Sequence, residues 1–203
     1  AGPIPPAFDW ANDGSVQPYP HDPEKARELI RQAGVEGASL TFYVAEGGSG
    51  MLDPVAMAEA IQADLKAVGL NARIETYEWN TFLSNVNPGL AGKADMDEMA
   101  WMTNDPDTLP FLALRSDAMP ETGGFNAGYY ANAEVDRLLA EARRTTDPAA
   151  RGAPYNQVQA IIHEDAPWAF IANWKQNAVA TTAIENFELE PSFLMLLRGV
   201  SKG

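Results

Sequence analysis

From residue 39 to residue 77 the chain carries two strand patterns on either side of one capped helix, and no other stretch limits the fold as strongly. In Ser39–Ala45, Leu40, Phe42 and Val44 alternate with Thr41, Tyr43 and Ala45, the period of two that a strand requires. Asp53-Pro54 then supplies an N-cap and a first helical residue with its φ already fixed, and Ala58, Ile61, Leu65 and Val68 share one face until Gly69. Residues 70–77 return to the strand pattern around Ile74. Strand, helix and strand joined this way predict a parallel, right-handed β-α-β crossover, and with it an α/β class.

The same punctuation recurs. Asp22-Pro23 opens a helix with Ala26, Leu29, Ile30 and Ala33 on one face before Gly34, and Asp147-Pro148 opens another that presents Val158, Ile161 and Ile162. A helix after Asn132 turns Val135, Leu138, Leu139 and Ala142 inward. A helix over 80–86 leads to an expected strand over 95–102, with loop 103–107 beyond its carboxyl end, and 168–174 reads as a further buried strand. The prolines at 3, 5 and 6 followed by Asp13-Gly14-Ser15 make residues 1–20 an irregular lead-in. Residues 184–197 alternate too weakly to assign. With 203 residues, 46% of them hydrophobic, one compact domain over 1–203 is expected.

Charge and composition remove several function classes. A formal charge of −14 repels phosphate backbones, which argues against nucleic acid as a partner. No apolar run reaches the ~18 residues of a membrane span. The absence of cysteine removes disulfides, thiolate metal sites and a thiol nucleophile. Gly47-Gly48-Ser49-Gly50 follows a strand but lacks the Gly-Lys-Ser/Thr of a phosphate loop, and Asp95-Met96-Asp97-Glu98 lacks the further oxygen ligand and sharp glycine turn of a calcium loop. His21 and His163 fall in different elements, as surface or capping residues rather than zinc ligands. Asp105 and Asp107 form a carboxylate pair of the kind an Asp-based hydrolase uses, yet Pro106 between them suits a helix cap and a first-turn acid. No Gly-x-Ser-x-Gly elbow is present. No catalytic residue, cofactor or metal is expected.

Trp79, Trp101, Trp168 and Trp174 stand next to predicted strand ends, where a tryptophan fills a core or lines a cleft for an organic ligand. Trp101 is followed by Thr103-Asn104-Asp105, an aromatic wall beside hydrogen-bonding groups and a carboxylate. The expected ligand contacts are therefore Trp101, Thr103, Asn104 and Asp105, with Asn126 nearby and Gly48 and Ser49 on the loop after the first strand.

Several of these segments resemble one family. Residues 22–30 (DPEKARELI), 57–70 (MAEAIQADLKAVGL), 75–83 (ETYEWNTFL), 101–107 (WMTNDPD), 130–139 (YANAEVDRLL), 142–151 (ARRTTDPAAR) and 164–168 (EDAPW) are similar, in order and spacing, to the extracellular solute-binding proteins that feed ABC importers of dipeptides, oligopeptides, nickel and glutathione. The resemblance covers nearly the whole chain but only the C-terminal lobe of such proteins, with the N-terminal lobe and signal peptide missing. It implies a periplasmic-binding-protein-like lobe, a mixed sheet flanked by helices, that closes with its own N-terminal lobe on a peptide or other small solute and delivers it to the permease subunits. It also implies a periplasmic location, or an extracellular one tied to the membrane through the importer, and no reaction. The family's amino-group ligand maps to Asp105, or to Asp107 two residues on. Its dipeptide binders hold the free carboxylate with an Arg before the second helix, where this chain has Gly47, Gly48, Ser49 and Gly50. That departure argues against a simple free dipeptide and leaves a longer peptide, an amidated or neutral solute, or a different anchor in the N-terminal lobe, with a receptor for a metal chelate, opine or sugar on the same scaffold as the alternative.

Overall fold

The computed structural model describes residues 2–48, 50–190 and 194–203. The contacts of the chain expected to form a single lobe fall into two compact units, residues 1–17, 102–110 and 134–203 in one, and 18–101 and 111–133 in the other.

The second unit holds the β-α-β crossover. Its elements are α1 (Pro23–Ala33), β1 (Ser39–Ala45), α2 (Pro54–Ala67), β2 (Asn71–Tyr77), α3 (Trp79–Val86) and β3 (Met96–Asp97). The two Asp-Pro caps behave as their chemistry requires: Asp22 accepts the N–H of Lys25, and Asp53 accepts that of Ala56. The strands form one parallel sheet in the order β2-β1-β3, with Phe42 beside Ile74 and Met96. Both faces of β1 are covered. Phe42 and Val44 pack with Ala58 of α2 on one face, and Tyr43 and Ala45 with Phe82 and Val86 of α3 on the other. A strand buried on both sides explains why Ser39–Ala45 becomes continuously apolar towards its end. α1 buries none of its residues, although its apolar stripe is real; Arg27 ties it to the end of α2 through the Ala67 carbonyl at 3.1 Å.

The first unit is built on α5 (Ala133–Ala142) and α6 (Pro148–Asp165), with α4 (Thr108–Ala113) starting within it and ending in the other unit. Val135, Leu138, Leu139 and Ala142 of α5 and Val158 and Ile162 of α6 are enclosed, the face the spacing predicts. The lead-in is irregular as expected, but it is not loose. Ile4 and Ala11 are buried, Gln159 donates to the Ala11 carbonyl at 3.0 Å, and Trp10 meets Tyr155 edge-on. Gly152 permits this approach, since a Cβ there would lie 2.4 Å from the Trp10 carbonyl oxygen. A small antiparallel ribbon, β4 (Ile184–Glu185) with β5 (Ser201–Lys202), completes the unit.

Two strand expectations need correction. Residues 95–102 pair only at Met96 and Asp97, with one further backbone bond from the Glu98 N–H to the Tyr43 carbonyl, although β1 runs on to Ala45. Residues 168–174 are irregular and mostly exposed rather than a buried strand. An alternating sequence becomes a strand only where a neighbour takes up its backbone groups, and no sheet among the described residues pairs with this one.

Candidate functional site

In open α/β sheets, ligands settle outside the carboxyl ends of strands at the point where neighbouring connections run to opposite sides. β1 sits at such a point. The chain leaves it through α2 to reach β2 on one edge, and returns through α3 to β3 on the other, with the two helices on opposite faces. The chain leaves the carboxyl ends of β1 and β3 as the loop after Ala45 and as the segment from Glu98 to Trp101.

Gly48 lies on the first of these loops with φ +94°, a left-handed conformation that favours glycine, and a Cβ there would stand 3.2 Å from the Trp79 ring. The glycine therefore lets the loop close over the indole, which stacks on Phe82 at 5.6 Å. Below, Tyr43 and Tyr77 meet edge-on at 5.0 Å, and the Tyr77 hydroxyl donates to Glu75 at 2.7 Å. On the β3 side, burial pushes the Asp97 carboxyl up to about 6, and burial followed by the Asp97 charge pushes Glu98 up to about 7. Trp101 is half-buried and meets the exposed ring of Phe125 edge-on at 5.5 Å.

The other unit contains a polar pocket of about 350 Å³ lined by Asp105, Asp107, Thr108, Arg143, Thr145 and Arg151, with Thr146. Asp105 accepts the Asp107 N–H at 2.9 Å, a turn that launches α4, and receives Arg151 through Nη2 at 3.0 Å and Nη1 at 3.4 Å. Arg151 also donates to the Tyr155 hydroxyl at 2.8 Å, which donates to Asp107 at 3.2 Å. Arg143 approaches Asp107 at 3.5 Å. Desolvation outweighs these cations and raises the Asp107 carboxyl, while burial pushes the Tyr155 phenol up to about 12. Both acids of the hydrolase alternative are thus engaged with arginines.

The expected ligand residues are divided between the two units. Gly48, Trp101 and Asn126 belong to the sheet-bearing unit, and Thr103, Asn104 and Asp105 to the other; Ser49 lies outside the described residues. Asn104 is exposed and Thr103 half-exposed. Asn126 is fully enclosed, and its amide donates to the Arg115 and Tyr130 carbonyls at 3.0 and 2.7 Å and accepts the Tyr130 N–H at 2.9 Å. As the chain stands it clamps its own loop instead of facing a cleft. Sequence reasoning missed Glu98 and Arg151. An acid within the apolar run Met96, Met99, Ala100, Trp101 was the signal for the first; the second comes from a helix 46 residues after its partner, with no local sign.

Comparison with known proteins agrees with this architecture. A family model described as bacterial extracellular solute-binding proteins, family 5, middle region, matches residues 1–119. The chain is 31% identical to di/tripeptide-binding protein 4 of Pseudomonas aeruginosa over 94% of its own length and 35% of that protein's. It is 30% identical to heme-binding protein A of Haemophilus influenzae over 98% of its length and 36% of that protein's. Among solved structures, the dipeptide-binding protein of Pseudoalteromonas sp. SM9913 in complex with Met-Leu superposes with a TM-score of 0.75 at 26% identity, covering 100% of this chain and 39% of that one. The chain thus spans about a third of the length of the curated relatives it matches, and its α/β architecture is that of a periplasmic binding protein.

Proposed function

This chain belongs to the bacterial extracellular solute-binding proteins of family 5, and from that premise we propose that it forms one lobe, the C-terminal one, of the solute-capturing component of an ABC importer. The observation that carries the reading is the β1/β3 switch point, where the loop after β1 packs Gly48 on Trp79 and the segment after β3 runs to Trp101. The solute is a peptide, in keeping with the di/tripeptide-binding relative and with the Met-Leu held by the structural relative. Its partners are the protein's own N-terminal lobe, which closes the cleft, and the permease subunits that receive the solute. The protein works in the periplasm and turns nothing over, and among the described residues no helix is long and apolar enough to cross a membrane.

Gly48 and Trp101 of the sheet-bearing unit are the residues we assign to the solute, while Thr103, Asn104 and Asp105 of the other unit, and Ser49, stay candidates from the sequence pattern. Asn126 contributes through the loop it clamps. A second reading, a non-peptide solute on the same scaffold, is favoured by one feature: residues 47–50 carry no cation to meet a free carboxylate, and one relative is named for heme rather than peptides.

Equilibrium dialysis of the full-length protein against a di- and tripeptide mixture, followed by mass spectrometry of both compartments, tests the proposal. Retention of intact peptides without new fragments is expected. Fragments appearing with time point to a hydrolase, and retention of nothing removes the peptide assignment.

A further inference from the structure

Phe125 stands on the loop between α4 and α5, in the sheet-bearing unit, and it is 41% exposed on a backbone that is held on both sides. Its N–H donates to the Leu112 carbonyl at 3.0 Å, and its carbonyl accepts the Ala127 N–H at 2.9 Å. Before it comes Gly124, where a Cβ would lie 2.1 Å from the Ala118 carbonyl oxygen. After it comes Asn126, wholly enclosed, whose N–H donates to that same Ala118 carbonyl at 2.9 Å. These contacts fix the direction in which the Phe125 side chain leaves the loop. It meets Trp101 edge-on, the ring centroids 5.5 Å apart and the planes at 83°.

A single exposed apolar side chain is ordinary on a protein surface. This one is set apart by its support. A glycine that admits no side chain and an amide enclosed to clamp the loop keep the ring in one place before any ligand arrives, which spares binding the entropy of ordering it. Its partner Trp101 lies on the segment after β3, at the switch point where a solute is expected. Two rings meeting edge-on give a third ring the stacked and edge-to-face contacts that aromatic groups favour, whereas an aliphatic chain gains burial alone.

We propose that Phe125, together with Trp101, is a specificity-determining contact that selects solutes carrying an aromatic side chain over those carrying an aliphatic one of similar size. The inference rests on the solute-binding reading above and narrows its substrate class. Asn126, which the sequence pattern places at the solute, is then the support, and Phe125 is the contact.

The test uses the full-length protein and its Phe125→Leu variant, which keeps an apolar side chain and removes the ring. Calorimetry compares three pairs of tripeptides, a trialanine frame with Phe or Leu at its first, middle or last position. The wild type is expected to prefer the Phe member of at least one pair by about fivefold or more, and Phe125→Leu to bring that ratio to within about twofold of one. Peptides that bind without such a preference, or a preference that the variant keeps, overturn this proposal and leave the peptide reading standing; binding of none of them overturns both. Melting without ligand reads the bare structural role: Phe125→Leu is expected to lower the melting temperature by less than about 3 °C, and a larger fall shows that the ring serves packing on Trp101 and overturns the proposal.

Discussion

Arg151 on α6 holds Asp105 at 3.0 Å from a position 46 residues further along the chain. The pair joins the turn before α4 to the longest helix of its unit, and it is only partly shielded, with side-chain exposures of 17% for Arg151 and 44% for Asp105. Solvent screening limits such a pair to about 1 kcal/mol. Asp105→Ala and Arg151→Ala are each expected to lower stability, and a double-mutant cycle in urea to return a coupling of about 1 kcal/mol. Zero coupling would mean that the guanidinium does not hold Asp105 in solution.

Asn126 is the more demanding case, because its amide is wholly enclosed and makes three hydrogen bonds to backbone. Asn126→Ala removes three hydrogen bonds from an enclosed site and is expected to cost about 2–3 kcal/mol in thermal or urea unfolding. A loss below about 0.5 kcal/mol would show that the loop from Arg115 to Tyr130 does not depend on this clamp.

The contrast between these two residues shows what was legible in the sequence. The helices opened by Asp22-Pro23, Asp53-Pro54 and Asp147-Pro148 begin where the sequence places them, because a cap is a local contact between a side chain and an N–H two or three residues on. β1 and β2 were legible from alternation. The strand over 168–174 was not, since strand formation depends on a neighbour that alternation does not reveal. For the site, the turn role of Asp105 was readable from Pro106, but the burial of Glu98 and the enclosure of Asn126 arise from packing of distant elements and leave only faint local signs.

Glu98 makes stability depend on pH in a direction that can be worked out. Its carboxyl is raised from an ordinary value of 4.5 to about 7, so the folded chain holds this proton more tightly than the unfolded chain does. Stability is fully present below about 4.5 and falls as pH rises to about 7, by on the order of 3 kcal/mol from this residue. Asp97, raised from 3.8 to about 6 by burial, adds a loss of the same sign over that lower window. Urea titrations of the ligand-free protein between pH 4 and pH 8 should show the decline, and Glu98→Gln should flatten its upper part. An identical slope in the variant would show that Glu98 titrates normally.

Gly48 combines a positive φ with an indole 3.2 Å from where a Cβ would be. Gly48→Ala is expected to cost about 1–2 kcal/mol and to shift the emission of Trp79 as the ring is displaced. Unchanged emission together with unchanged stability would place the loop away from the indole in solution.

The most direct measurement of the central claim is a titration of intrinsic tryptophan fluorescence in the full-length protein with pooled di- and tripeptides, run beside Trp79→Phe and Trp101→Phe. Solute capture at the β1/β3 switch point predicts a saturable change in the wild type whose amplitude falls in one or both variants. A flat trace with every peptide, or a response that both variants retain in full, would contradict peptide binding at this switch point.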